Sequence, residues 1–568
     1  MSVWDLARTR LDGLPGGEGR NIAFEAVDRH VAHGNGDRIA LRFLSSEGAA
    51  RDVRYRTLAL DSNRFANGLD ALGVGSGDVV ATLLGRVPEL YIAAMGTLKA
   101  GAVLCTLFAA FGPEPVRVRL AKGHVKVLVT TARQYRRKIE PLRRELPDLK
   151  AVILIDEALP GTCSWQRLMA AASDRWRIPA TSPDSLALIH FTSGTTGTPK
   201  GAVHVHEAVV AHEATAAAVL TLGPGDLFWC TADPGWVTGV SYGIIAPLVR
   251  GATSVIDDGV FEPERWYRIL HDQSVTIWYT APTAIRMLMK AGDALARRHD
   301  FRTLRLAASV GEPLDAGAVA WGEAVLGRPF HDTWWQTETG AIMIANLPDA
   351  PVCPGAMGRP LAGIEAAVVE RCGGPEEAPR IEPAAEAGEL ALKVGWPSMF
   401  RGYVDDEARY RAVFADGYYL TGDRVRRDED GWYWFLGRAD DVIKSAGRLI
   451  GPIEVESVLL QHPAVAEAAV IGLPDPTVGE MVKAYVTVKD GIAADEALRR
   501  DILAAARSRL GAATAPRDIA FHAALPKTRS GKIMRRLLRA RELGLPEGDL
   551  STLDESTPVT TSDSTTED

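Results

Sequence analysis

At 568 residues the chain is longer than a single hydrophobic core can serve, so two or more domains are expected, and its 46% hydrophobic content is that of an ordinary globular protein. The net charge is −8, but the last twenty residues hold Asp549, Asp554, Glu555, Asp563, Glu567 and Asp568 with no Lys or Arg, leaving −2 for the rest and nothing to attract a nucleic acid. Five cysteines (Cys105, Cys163, Cys230, Cys353, Cys372) are scattered without CxxC spacing, so neither a disulfide framework nor a zinc site is indicated and a reducing cytoplasm fits.

In chain order, the opening MSVWDLARTRLDGLPGGEGR carries no charged-then-apolar leader, because Gly and Pro break it. Residues 90–111 are long and apolar, but Gly96, Lys99 and Gly101 interrupt them and Gly112-Pro113 ends them, which predicts a buried helix followed by a strand and no membrane span. LALIHF (186–191) reads as a buried strand and residues 207–222 as a helix. Between them lies FTSGTTGTPKG (191–201), with Gly194, Gly197 and Gly201. Such glycines let a turn expose backbone N–H groups, while the hydroxyls of Ser193, Thr195, Thr196 and Thr198 and the ammonium of Lys200 can answer phosphate oxygens. The run is not a P-loop: two residues, not four, separate Gly194 from Gly197, and Lys200 is followed by Gly201. A plain Gly/Thr-rich surface turn is the weaker reading of so many donors after a strand.

From 184 to 331 short apolar runs alternate with helical ones: LALIHF then 207–222, IWYTAP then 283–291, LRLAASVGEP then 316–325. This alternation predicts an α/β body of several layers with a largely parallel sheet. DGWYWFL (430–436) places an Asp-Gly turn before an aromatic strand, so the pattern turns antiparallel. After residue 441 a helix (454–460), strands (465–471, 482–488), a helix (495–510), a strand (518–522) and a basic helix predict a small α+β domain. Arg535, Arg536, Arg539 and Arg541 are expected to form a solvated face. The tail STPVTTSDSTTED lacks an apolar period and is expected to be disordered. His190, His204 and His206 lie near the loop in sequence, but no carboxylate or cysteine spacing supports a metal triad, and they read as structural.

The glycine-threonine loop resembles the phosphate loop of the acyl-adenylate-forming superfamily. WWQTETG (334–340), YLTGD (419–423), GRADDVIKSAG (437–447) and PKTRSGK (526–532) resemble that superfamily's other signatures, in its order. WCTADPGWVTG (229–239), YTAPTAIR (279–286) and SVGEPL (309–314) narrow the resemblance to acetyl-CoA synthetases, and the likeness runs from about Asn21 to about Leu553.

The resemblance implies a large adenylate-forming body (1–439), a small mobile C-terminal domain (440–550) and an acidic tail (551–568). It implies coupling of a carboxylate to AMP with loss of pyrophosphate, then displacement of AMP by the thiol of coenzyme A. Thr192, Ser193, Gly194, Thr195, Thr196, Gly197 and Lys200 would hold the ATP phosphates, and Glu338 would hold Mg2+ on the triphosphate as a hard oxygen ligand. Gly311, Glu312, Pro313, Asp332, Thr333 and Trp334 would line the adenine pocket, with Gln336 and Thr337 also at ATP; Asp423 would accept the ribose hydroxyls, with Arg438 near ribose or phosphate. Trp335, Val237, Thr238 and Val310 would wall a pocket sized for acetate. Lys532 would neutralise charge between carboxylate and α-phosphate, and in this family it is the target of an acetyltransferase and a deacetylase. Asp440 resembles the hinge, and Gly447 and Ala281 are coenzyme A candidates. The chain departs from the pattern in AGRLIG (446–451), where Arg448 stands one place early and Leu449 occupies the usual Arg position. Two other readings stay open: the same chemistry on propionate or another short acid, and an AMP-binding regulator that catalyses nothing. A carrier-loading module is disfavoured, since no carrier domain follows Lys532 before the tail.

Overall fold

A computed structural model describes residues 1–192, 199–372, 380–384, 386–439, 441–445, 448–511, 514–528, 532–548, 550 and 553–554. The chain divides into two compact units, the first gathering Met1–Gly194, Thr198–Glu365 and Val394–Ala412, the second Ala366–Lys393 and Val413–Asp568.

In the first unit the apolar runs become central strands. Leu227–Cys230, Thr253–Asp257, Ile277–Thr280, Leu306–Val310 and Phe330–Trp334 are parallel neighbours in a nine-stranded sheet. Val79–Leu83, Val103–Thr106, Val125–Thr130, Ala151–Leu154 and Leu186–Thr192, with the short Cys163–Ser164, form the parallel part of an eight-stranded one. Strands covered on both faces read as continuous apolar runs, which is why those at 103–106, 186–192, 277–280 and 306–310 were visible in the sequence. Residues 90–111 resolve into the helix Pro88–Lys99 and the strand Val103–Thr106. Lys99 is fully buried there and donates to Asp28 and Asn63 at 2.8 Å each. Among the described residues no helix is long and apolar enough to cross a membrane.

Two expectations about residues 191–222 need correcting. The glycine-threonine run does not lead from a strand into a helix: Lys200–Val205 is itself a strand, antiparallel to Leu186–Thr192, with Lys200 opposite Thr192. The β-branched alternation of KGAVHV favours the pleat, and the helix begins only at Ala208. That helix stops at Ala218, short of the expected 222. Leu222 N–H bonds back to Ala216 O while Thr221 sits at φ 49°, so a left-handed Thr closes it where a Gly would have announced the end.

The second unit holds a six-stranded antiparallel sheet and a five-stranded sheet. In the former, Tyr418–Arg427 pairs with Tyr433–Arg438 around the Asp-Gly turn, with Gly431 at φ 83°. In the latter, Val465–Asp475 and Gly479–Val488 pair antiparallel and Asp518–Phe521 adds in parallel. Helices Pro452–Leu460 and Glu496–Leu510 contribute Val455, Leu459, Ile502 and Ala506 to its core, the second capped by the Asp495 carboxylate on Leu498 N–H. The basic helix Arg535–Glu542 is not a solvated face throughout. Leu537, Leu538 and Ala540 are buried, and Arg535 turns inward to a forked pair with buried Glu456, because a helix covering a sheet must bury one stripe.

Candidate active site

Residues 336–340 of the first unit form a tight turn after the strand Phe330–Trp334. Gly340, at φ 70°, returns an N–H to Gln336 O, and Thr339 Oγ1 accepts from Gln336 N–H. A neighbouring segment, residues 396–403, grips this turn from outside. Trp396 Nε1 and Ser398 Oγ both donate to Thr339 O (2.9 and 2.7 Å), and Phe400 N–H donates to Glu338 O at 3.0 Å. The short strand Gly402–Tyr403 pairs with Lys200–Val205 and carries Tyr403, whose hydroxyl donates to Glu338 Oε1 at 2.7 Å. The Lys200 ammonium lies 5.6 Å from the centre of the same ring. Glu338 and Lys200, expected at the phosphates, are thus brought together by Tyr403, which sequence reading missed.

Beneath the turn, His204 donates through Nδ1 to Ser398 O and His212 through Nε2 to Gly340 O. Burial holds both imidazoles down to about 4 and His190 well below its usual value, so all three are neutral supports. His206 lies apart from them and accepts from Ile22 N–H. Among the described residues no cluster has the makings of a metal site of three or more His, Cys, Asp or Glu ligands.

Trp335, Val310 and Val237 share one apolar cluster with Tyr242 and Tyr279, and Thr238 follows Val237 in the helical turn Val237–Val240. The indole is fixed twice: Tyr242 packs edge-on at 5.2 Å between ring centres, and Nε1 donates to Tyr279 Oη at 3.3 Å. Tyr279 donates onward to Thr333 Oγ1, which donates to Ser309 O. On the same strands Ser309 Oγ donates to Asp332 Oδ1 at 2.6 Å, and burial pushes the Asp332 carboxyl up to about 7. Gly311 follows at φ 92°, a backbone that favours glycine, and sets Glu312 to accept from Thr283 and Arg286 while Pro313 is exposed. Ala281 caps the helix Pro282–Ala291. Thr192, Gln336, Thr337 and Trp334 are half-buried.

In the second unit Asp423 and Arg438 face each other across adjacent strands, Arg438 Nη1 donating to Asp423 Oδ1 at 2.6 Å. Lys532 feels both. Desolvation and the repulsion of Arg438 hold its ammonium below the usual lysine range, while Asp423 and Asp441 act in the opposite sense. Because the residue as a whole is exposed, the charge of Arg438 is the firmer of the two causes. Its loop is closed by Thr528 N–H on Lys532 O and Lys532 N–H on Thr528 Oγ1. Ser193, Gly194, Thr195, Thr196 and Gly197, with Asp440 and Gly447, lie outside the described residues, and of Leu449 only its place in the strand Arg448–Ile450 is described.

Residues 28–404 match the AMP-binding enzyme family and residues 454–532 match the AMP-binding enzyme C-terminal domain. The chain is 44% identical to an acetyl-coenzyme A synthetase of Bacillus subtilis (strain 168) over 94% of this chain and 93% of that protein. It is 39% identical to an acetyl-coenzyme A synthetase of Methanothrix thermoacetophila, covering 94% and 84% respectively. Among solved structures, the Brucella canis acyl-CoA synthetase is similar at a TM-score of 0.72 and 36% identity, covering 95% of this chain and 97% of that one. The anthranilate CoA ligase AuaEII in complex with anthranoyl-AMP is similar at 0.83 and 29%, covering 92% and 98%.

Proposed function

The chain belongs to the family of AMP-binding enzymes, and from that premise we propose that it ligates acetate to coenzyme A through an acetyl-AMP intermediate. The observation that supports the choice of acid is the cluster of Trp335, Val310 and Val237 braced by Tyr242 and Tyr279; as the wall of an acyl pocket, its aromatic bulk would fill the space a longer acid needs. Relatives named for acetate support it.

A carboxylate is a poor electrophile, since attack must load more charge onto an anion. In the first step an acetate oxygen attacks the α-phosphorus of ATP and the bond to pyrophosphate breaks. In the second, the coenzyme A sulfur attacks the acyl carbon, its proton leaves, and AMP departs. The protein supplies orientation and charge neutralisation. Gly194, Thr195, Thr196 and Lys200 hold the β- and γ-phosphates, with Thr192, Ser193 and Gly197 also at ATP. Gly311, Glu312, Pro313, Asp332, Thr333 and Trp334 line the adenine pocket, Gln336 and Thr337 also meet ATP, and Asp423 takes the ribose hydroxyls with Arg438 near ribose or phosphate. Glu338 offers a hard oxygen for Mg2+: Oε1 takes the Tyr403 hydroxyl and, among the described residues, Oε2 accepts no hydrogen bond. When bound, Mg2+ screens the charge of the triphosphate. Lys532 balances charge growing at the α-phosphate, and acetylation by a lysine acetyltransferase would remove that charge until a deacetylase restores it. Asp440 is the pivot between a body of residues 1–439 and the small domain of 440–550, Ala281 and Gly447 lie toward coenzyme A, and the scattered free cysteines support a cytoplasmic setting.

The test is acid-dependent exchange of pyrophosphate into ATP, run with and without coenzyme A. Exchange with acetate above propionate is expected, and none with any acid would leave an AMP-binding regulator. Lys532→Ala is expected to lower exchange by about 10²- to 10³-fold while still converting synthetic acetyl-AMP and coenzyme A to acetyl-CoA; equal loss of both steps would refute its division of labour.

A further inference from the structure

We propose that Tyr403 is a positioning residue that fixes the Glu338 carboxylate for a divalent cation on the triphosphate and seats the Lys200 ammonium beside it. This rests on the reading of Glu338 and Lys200 given above. Tyr403 itself is only 6% exposed and sits on a strand of two residues, so its ring direction is set by the pairing of Gly402 and Tyr403 with Val203 and Ala202 and by Phe400 packed 5.0 Å away. From that place one side chain performs two tasks. Its hydroxyl holds one oxygen of Glu338, and its π face lies against the cation that would meet the same phosphates.

The backbone bearing Glu338 does not depend on this tyrosine. Trp396, Ser398 and Phe400 hold the peptide groups of residues 338 and 339, and His204 and His212 hold the carbonyls of Ser398 and Gly340. With the turn fixed by those bonds, the freedom left to Glu338 is rotation of its own side chain, and the Tyr403 hydroxyl removes it. A carboxylate ordered in this way meets a cation without first losing rotamer entropy, and partners that orient a ligand in this manner typically affect metal affinity by about 10- to 100-fold.

Tyr403→Phe removes the hydroxyl and keeps the ring; Tyr403→Leu removes both. Mn2+ binding to the full-length enzyme with a non-hydrolysable ATP analogue, read by electron paramagnetic resonance, is expected to weaken about tenfold or more in Tyr403→Phe. Tyr403→Leu is expected to add a further two- to fivefold loss of nucleotide affinity as Lys200 loses its ring, roughly the worth of an exposed cation–π contact. Thiolysis of synthetic acetyl-AMP by coenzyme A, which needs no triphosphate, and the melting temperature of Tyr403→Phe are expected to match wild type. Unchanged Mn2+ affinity in Tyr403→Phe overturns the proposal, as does an equal fall in thiolysis, which would mark a general structural role. A wild type that binds Mn2+ and nucleotide but releases no pyrophosphate would sink the functional reading alone, with Tyr403 still judged on Mn2+. A wild type that binds neither would overturn both.

Discussion

The indole of Trp335 has little freedom to swing out of its cluster, since one edge meets the Tyr242 ring and its N–H is anchored on Tyr279. Trp335→Gly is therefore expected to open space, and to move preference toward four- to six-carbon acids by roughly 1 kcal/mol per methylene admitted. The same change leaves a large cavity in the absence of a longer acid, costing about 3 to 5 kcal/mol, so the ranking of kcat/KM across an acid series is the readout, not the absolute rate. If the folded variant keeps the wild-type ranking, Trp335 is plain core. Trp335 was legible in the sequence because a signature surrounds it. Its two braces were not: Tyr279 lies 56 residues upstream and is brought near by the parallel order of the strands, and Tyr242, further upstream still, comes from the helical segment Ser241–Ile245.

At the scale of elements, the turn after the helix Pro113–Lys122 and the end of the strand Gly402–Tyr403 are joined by one histidine. His124 Nε2 meets Asp405 at 2.8 Å and Nδ1 meets Asp148 at 3.1 Å, with His124 at φ 48° and Asp405 at φ 53°, both backbones that non-glycine residues enter at a cost. The two carboxylates, Asp405 first, raise the His124 pKa above its ordinary value near 6.5. A raised folded pKa stabilises fully below the unfolded value and the gain is lost as pH climbs through the folded one. Amide exchange at Val404, whose N–H bonds Gly201 O at 2.9 Å, is thus expected to quicken as pH rises above the ordinary imidazole value near 6.5, beyond the intrinsic base dependence. The effect should stay within about 1 kcal/mol because the pairs are exposed. Asp405→Asn, which tolerates the same φ, should flatten the profile; an unaltered profile would show the pairs contribute nothing. None of this was visible in the sequence, where long strands and helices announce themselves by period but a strand of two residues has no period to read. The same reason hid Tyr403, while the strand Leu186–Thr192 and the capped helix Glu496–Leu510 were placed almost to the residue.

At the scale of the whole molecule, the proposed mechanism assigns Lys532 to one half-reaction and not the other; on that proposal Asp440→Pro, which fixes φ, is expected to spare one half-reaction and abolish the other. Pyrophosphate exchange and acetyl-AMP thiolysis measured side by side decide it, and equal effects on both would reject the pivot. The first unit is also discontinuous: it takes back Val394–Ala412 after the chain has already laid down Ala366–Lys393 of the second. On a ribosome this has a consequence in time. The turn bearing Glu338 emerges about sixty residues before Trp396, Ser398, Phe400 and Tyr403, a delay of roughly 3 to 12 seconds at ordinary rates of synthesis. Throughout that interval the nascent turn lacks the partners that hold it, and a release of the chain anywhere before residue 403 would yield a body in which that turn never gains all of them.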